Sequence, residues 1–211
     1  TTTTPDAVTE PNGDGTEGNP YQIADITNLN WLVQTSSAWD KYFIQTADIE
    51  ADGTSEWNSG KGISMIGNSS TKFTGVYEGN NKTISGLSNS SLGSTEGLFG
   101  YVYLLAEIKN LGLINANYTG GSNTGLLVGK LEAESIVINC YSSGSVDGHQ
   151  SVGGLIGSAN SSTISNCYSN ATVTGSSECG GLIGLTLTSS ISNSYATGNT
   201  TADGTYGNTG G

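Results

Sequence analysis

The stretch SVGGLIGSANSSTISNCYSNATVTGSSECGGLIG, residues 151–184, carries GGLIG near its start and again at its end, around a passage rich in serine and threonine. Working outward, the glycine motif recurs as GLFG ending at Gly100, LLVG at Gly129, GLIG at Gly157 and GLIG at Gly184, so the interval shortens from 29 through 28 to 27. A second landmark keeps the same period: NLG from Asn110, NCY from Asn139, NCY from Asn166 and NSY from Asn193, the last three 27 apart. Fixed spacing in this range marks a stacked-repeat architecture. Each unit holds three short apolar runs separated by turn formers, in this stretch GGLIG, TISNCY and ATVTG. Runs of this length fit strands and are too short for helices. The expectation is an all-β parallel β-helix (solenoid) of about 27 to 29 residues per coil, each coil made of three strands and three turns.

Such a coil cannot bury its apolar face alone, because its neighbours above and below supply the cover. Inward columns are expected for Leu155 and Leu182, Ile164 and Ile191, and Val146 and Val173. Asn110, Asn139, Asn166 and Asn193 should lie one above another at a corner, where side-chain amides can hydrogen-bond along the stack. Tyr141, Tyr168 and Tyr195, two positions later, form a second column. Facing outward they make an aromatic strip able to contact glycans, and facing inward they are core. Cys140 and Cys167 occupy equivalent positions. Their spacing permits a disulfide but their parallel orientation favours a column of buried thiols, with Cys179 a small apolar residue in the slot of Val152.

Before the repeats, PYQIADITNLNWLVQ reads as an extended YQI followed by a short helix, with Asp25 or Thr27 as N-cap and Ile26, Leu29, Trp31, Leu32 and Val33 as its apolar residues. This helix should cover the open end of the solenoid, where unpaired strand edges would otherwise invite aggregation. KYFIQTADIEAD, GISMIG, FTGVYEG and KTISGLSN then read as strands of irregular first coils. The expected divisions are an extended tail over 1–17, a cap with irregular coils over 18–99 and repeat coils over 100–211.

The order GTEGNPYQI, helix, YFIQTADI, Trp57, MIG, FTGVYEGNNKTISGL, GLFG and the GGLIG units resembles GLUG-motif repeat surface proteins of bacteria and archaea, over about residues 13–211. Members are similar to filamentous-haemagglutinin-like adhesins, and such repeats also accompany some secreted proteases that cleave immunoglobulin A. The resemblance implies a right-handed β-helix serving as stalk or binding region of a larger secreted or surface protein, without implying catalysis. The closing letters YGNTGG match the start of another GGLIG unit, so further coils or domains are expected to follow.

Composition narrows the chemistry. Net charge is -12 and arginine is absent. Residues 1–60 hold ten acids against Lys41 alone. That field disfavours nucleic-acid phosphates and anionic membranes, and no apolar run is long enough to span a bilayer. The solitary histidine, His149, sits in a turn, and no HExxH motif is present. The acids Glu107, Glu132, Glu134, Asp147, Glu178 and Asp203 fall at different offsets in their coils, so clustered acid–base catalysis is not indicated. No cofactor is expected, with one exception kept open. Asp14 and Glu17 in PNGDGTEGN, and Asp48, Glu50 and Asp52 in TADIEADG, offer oxygen ligands that calcium accepts, or are simply solvated acidic turns. Trp31, Trp39 and Trp57 divide between cap packing and an exposed platform. Seven Asn-x-Ser/Thr triplets, at Asn68, Asn81, Asn89, Asn117, Asn160, Asn170 and Asn199, are close to the number of about five that chance supplies in so polar a chain.

The expected function is a non-enzymatic, extracellular, adhesin-like solenoid attaching to surface glycans, proteins or other cells. The alternatives are a subunit of an extracellular filament joined to copies of itself through its N-terminal tail or exposed solenoid edge, or a polysaccharide-cleaving β-helix.

Overall fold

A computed structural model describes residues 7–204 and 209–210. Parallel strands stack coil upon coil into a β-solenoid. One face carries, in spatial order, Tyr21–Ile23, Tyr42–Gln45, Val76–Ser85, Glu107–Thr119, Ile136–Ile138, Thr163–Ser165 and Ser190–Ser192. A second carries Phe99–Val102, Val128–Glu132, Ile156–Asn160 and Ile183–Leu187. The third carries Ser122–Gly125, Gln150–Gly153, Ser177–Gly180 and Thr209–Gly210. Ile136 pairs with Thr163 and Thr163 with Ser190, so the register of the strands repeats the interval of the sequence motif. Of the closing YGNTGG, Thr209 and Gly210 pair with Cys179 and Gly180, and Tyr206, Gly207, Asn208 and Gly211 lie outside the described residues.

The expected three strands per coil are in fact five. In the coil that begins at Gln150 they are Gln150–Gly153, Ile156–Asn160, Thr163–Ser165, Tyr168–Ser169 and Thr172–Gly175. Two apolar runs are each cut by a corner. GGLIG bends between Gly153 and Ile156, and TISNCY bends at Asn166, whose φ of 53° lies in the left-handed region that interrupts an extended chain. Residues 151–159 are buried throughout, so the first bend leaves no mark in the apolar pattern, and at the second the inward Ile164 and Cys167 stand three residues apart where a straight strand would keep two.

The last glycine of each motif is required by close approach of backbones. A Cβ on Gly157 would lie 2.5 Å from the Asn123 carbonyl carbon and 2.6 Å from the Gly129 carbonyl oxygen. Any larger residue would wedge two coils apart. The three expected inward columns are inward: Leu155, Ile164, Val146 and Val173 are buried. Ile191 remains 45% exposed because no described coil covers that part of its own.

Earlier coils are irregular. Tyr21 pairs with Phe43, Tyr42 with Val76 and Val76 with Glu107, unequal intervals of 22, 34 and 31 along the chain. Uneven coils leave uneven space, and large rings fill it. Phe43, Phe73, Tyr77 and Phe99 are buried in a connected group, with centroids 4.9 Å apart for Phe73–Phe99 and 5.4 Å for Tyr77–Phe99. The Tyr77 hydroxyl donates to Gln45 Oε1 at 3.1 Å, and burial pushes its pKa up.

The helix α1, Ile26–Gln34, covers this end with Leu29 and Leu32 fully buried. Asp25 is its N-cap, accepting from the backbone N–H of Thr27 at 2.8 Å and of Asn28 at 3.0 Å. Partial burial raises the Asp25 carboxyl, but the bonds from Asn28 and Thr27 outweigh it and hold it below the usual range. Within the expected extended tail, residues from 7 onward are bound to the cap. Asn30 Nδ2 donates to the Ala7 carbonyl, Asn28 Nδ2 donates to that of Thr9, and Asn12 bridges Gln22. Two of the three tryptophans are core: Trp39 donates its Nε1–H to the Leu32 carbonyl at 2.8 Å, and Trp57 is also buried. Trp31 is partly buried, its ring 5.0 Å from Tyr21.

Candidate functional site

Outward-facing columns are the repeated chemistry of this surface. At the corner, Asn110, Asn139, Asn166 and Asn193 all have φ between 48° and 56°. Asparagine tolerates that conformation better than other residues with a Cβ, and its short amide reaches the next coil. Asn139 Nδ2 donates to Asn110 Oδ1 at 2.8 Å, and Asn166 Nδ2 to Asn139 Oδ1 at 3.1 Å. Glu78 closes the N-terminal end of the column by accepting both contacts from Asn110 Nδ2, at 2.9 and 3.0 Å. The sequence indicated the ladder but not this carboxylate, which stands before the repeats begin.

Two residues on, the tyrosines point outward. Tyr141 and Tyr168 have ring centroids 5.0 Å apart and planes within 1°; Tyr168 and Tyr195 are 5.4 Å apart and within 8°. The column starts over Gly112, where a Cβ would lie 2.3 Å from the Tyr141 ring. Both faces of Tyr168 are covered by its neighbours, so the column presents a row of hydroxyls and ring edges. Partial burial, then the flanking Tyr141 and Tyr195, raise the Tyr168 pKa. Tyr195 is 57% exposed. Beside it Leu182, Ile183, Thr186, Ile191, Ser194 and Ala196 line a hollow of about 420 Å³ at the final described coil.

A third column was missed by reading from the repeats alone. Lys72, Tyr101 and Lys130 fall at equal intervals of 29 along the chain. The Lys72 and Lys130 ammonium nitrogens lie 5.1 and 5.0 Å from the Tyr101 ring centre. Glu132 accepts from the Tyr101 hydroxyl and pairs with Lys130 at 2.8 Å. Burial raises the Glu132 carboxyl, but the bonds from Lys130 and Tyr101 outweigh it and lower its pKa. The period itself, extended two units upstream, is the signal that would have found this column.

The cysteines are buried free thiols. Cys140 donates to the Ile138 carbonyl at 3.3 Å and Cys167 to that of Ser165 at 3.2 Å. Burial pushes the Cys167 thiol up to about 11, far from reactive thiolate. Of the candidate calcium ligands, Asp14 and Asp48 are engaged in hydrogen bonds, the first within its own turn and the second to a neighbouring coil. Asp14 accepts from the Thr16 N–H and hydroxyl, Asp48 accepts from the Thr83 N–H at 2.8 Å, and Asp52 opens a short turn. Glu17 lies in the same turn as Asp14 and lines a hollow with Pro20 and Tyr42. Among the described residues, no three His, Cys, Asp or Glu side chains gather where a metal could bind. His149 is an exposed turn residue whose carbonyl accepts from Ser176 and Ser177. No helix of the described residues is long and apolar enough to cross a membrane.

Comparison with known proteins agrees with this geometry. The family model described as the GLUG motif matches residues 120–147, 148–174 and 175–201, so the chain carries three GLUG repeats. Halomucin from Haloquadratum walsbyi is 36% identical over 158 residues, which cover 72% of this chain. The matched part is about 2% of the length of Halomucin. A crystal structure from Bacteroides ovatus, described as that of a proposed immunoglobulin A1 protease, superposes with a TM-score of 0.71 at 25% identity, covering 90% of this chain and 69% of that one.

Proposed function

We propose that these GLUG coils form a non-enzymatic, adhesin-like solenoid region of a secreted or cell-surface protein, attaching to glycans, proteins or other cells through its repeated outward columns. The observation that carries this reading is the tyrosine column. An aligned row of phenol rings, with centroids 5.0 to 5.4 Å apart, suits a partner that is itself repetitive. The likeness to Halomucin and the GLUG repeats support a surface-protein solenoid. The scatter of acids and the exposed, isolated His149 favour binding over catalysis. A glycan array probed with the chain tests the idea. Hits that vanish in Tyr168→Ala are expected, whereas hits unchanged by it, or release of reducing sugar, would overturn the reading.

A second reading, a filament subunit, draws on the exposed Leu187, Ile191 and Tyr195 at the last described coil. That edge could pair with a neighbour. Residues 7–12 are bound to their own cap. Electron microscopy of the purified chain would show filaments if this reading holds and single particles if it does not.

A further inference from the structure

The seven Asn-x-Ser/Thr triplets are equal as letters and unequal in space. Asn89 is sealed: it is 2% exposed, its Nδ2 donates to the Ile63 carbonyl at 2.8 Å and its Oδ1 accepts from the Ser91 N–H. Asn68 holds a turn through Oδ1, which accepts from the N–H groups of Ser70 and Thr71. Asn81 is exposed and its triplet also ends in threonine, but it sits at a left-handed corner with φ 57°, next to Asn80 with φ 52°, away from the strip that the remaining three share. Asn160 is partly buried, its Oδ1 accepting from the hydroxyls of Ser161 and Thr188.

Three triplets remain: Asn117-Tyr118-Thr119, Asn170-Ala171-Thr172 and Asn199-Thr200-Thr201. All three asparagines are exposed. No hydrogen bond engages the amide nitrogen of any of them among the described residues; Asn117 uses only Oδ1, which accepts from the Ser145 hydroxyl at 2.9 Å. All three triplets end in threonine. They also share one strip. Asn117 pairs with Ser145 and Ser145 with Thr172, and the Asn199 carbonyl accepts from the Val173 N–H one residue on. Asn170 stands two residues before Thr172 in the same coil.

We propose that Asn117, Asn170 and Asn199 are N-glycosylation sites, giving the solenoid one sugar-coated strip. The inference rests on the secreted or surface reading, since the modification needs the membrane-bound oligosaccharyl transferase and its lipid-linked donor. In that step the asparagine amide nitrogen attacks C1 of the sugar. A C–N bond forms, the bond from C1 to the phosphate oxygen breaks, the lipid phosphate leaves and the amide proton passes to a base of the transferase. An amide nitrogen already held by a backbone carbonyl, as in Asn89, is unavailable for this in the folded chain. Asn117 and Asn199 lie beyond the corner at Gly144 from the tyrosine column, and Asn170 lies before it, two residues after Tyr168, so the sugars would border the tyrosine column.

The test is glycopeptide mapping by mass spectrometry of the protein recovered from the cells that make it. Glycan is expected on Asn117, Asn170 and Asn199 and absent from Asn89. Thr172→Val, which suits a strand, should abolish the glycan on Asn170 and leave the other two. A protein found outside the cell with all three asparagines bare would overturn this inference while leaving the surface reading intact. Equal occupancy at Asn89 would also overturn it. A chain confined to the cell interior and unmodified would overturn both.

Discussion

The cap and early coils, up to about Phe99, and the repeat coils beyond it solve the same packing problem in opposite ways. The early coils differ in length and fill the mismatch with aromatic rings, Phe43, Phe73, Tyr77 and Phe99. The repeats keep one register and stack small side chains on their own kind: Val146 on Val173, Ile164 under Ile191, Cys140 beside Cys167. Regular geometry makes identity with the neighbour sufficient, whereas irregular geometry demands volume. Stability should therefore be concentrated in a few residues at one end and spread thinly at the other.

The largest expected effect tests that contrast. Phe73→Ala should destabilise by about 3 to 5 kcal/mol in urea denaturation, because rings of adjoining coils hold its cavity open. Ile164→Ala should fall in the lower half of about 2 to 5 kcal/mol, since thin coils can settle into the space. Equal losses would break the comparison. Next, Asn139→Ala removes a double ladder contact and a residue suited to φ 54°, for about 1 to 2 kcal/mol. Asn139→Gly keeps the conformation and should lose less, which separates backbone from amide.

At the cap, Asp25→Ala should lower stability by about 1 kcal/mol at neutral pH. The folded carboxyl titrates below its unfolded value, so its stabilisation is complete above the ordinary carboxylate range and disappears as acid protonates the folded group. Native and variant melting curves should therefore converge in acid. The smallest effect runs the other way. Leu104 and Leu105 are 57% and 63% exposed with φ of 56° and 61°, where later coils place Ser161 and Thr188. Leu105→Asn should gain about 0.5 to 1 kcal/mol, read as a higher melting temperature.

What the sequence disclosed follows the same division. Equal spacing made Asn139 over Asn166, the inward columns and the outward-capable tyrosines readable, because one register serves every coil. The helix was readable from Asp25 and the apolar spacing of Leu29, Leu32 and Val33. Pairings such as Tyr42 with Val76 were not, since the inserted turn at Asp52–Glu56 and the left-handed pair Asn58 and Ser59 shift the register with no periodic trace. The corners that split three runs into five strands were hidden because residues 151–159, buried throughout, offer no alternation to break, and the shift from two to three between the inward Ile164 and Cys167 is a single step. That the tyrosine rings cover one another depends on side-chain tilt, which spacing leaves free.

Every coil is joined to the next by hydrogen bonds that run along the solenoid axis, with one continuous chain wound through them. Tension between the two ends would thus peel coils singly. Each turn, which rises about 4.8 Å when stacked, would release roughly 90 Å of slack when drawn straight. A molecule wound in this way can lengthen nearly twentyfold per released turn while the remaining turns hold their shape, which makes it a spool as much as a rod.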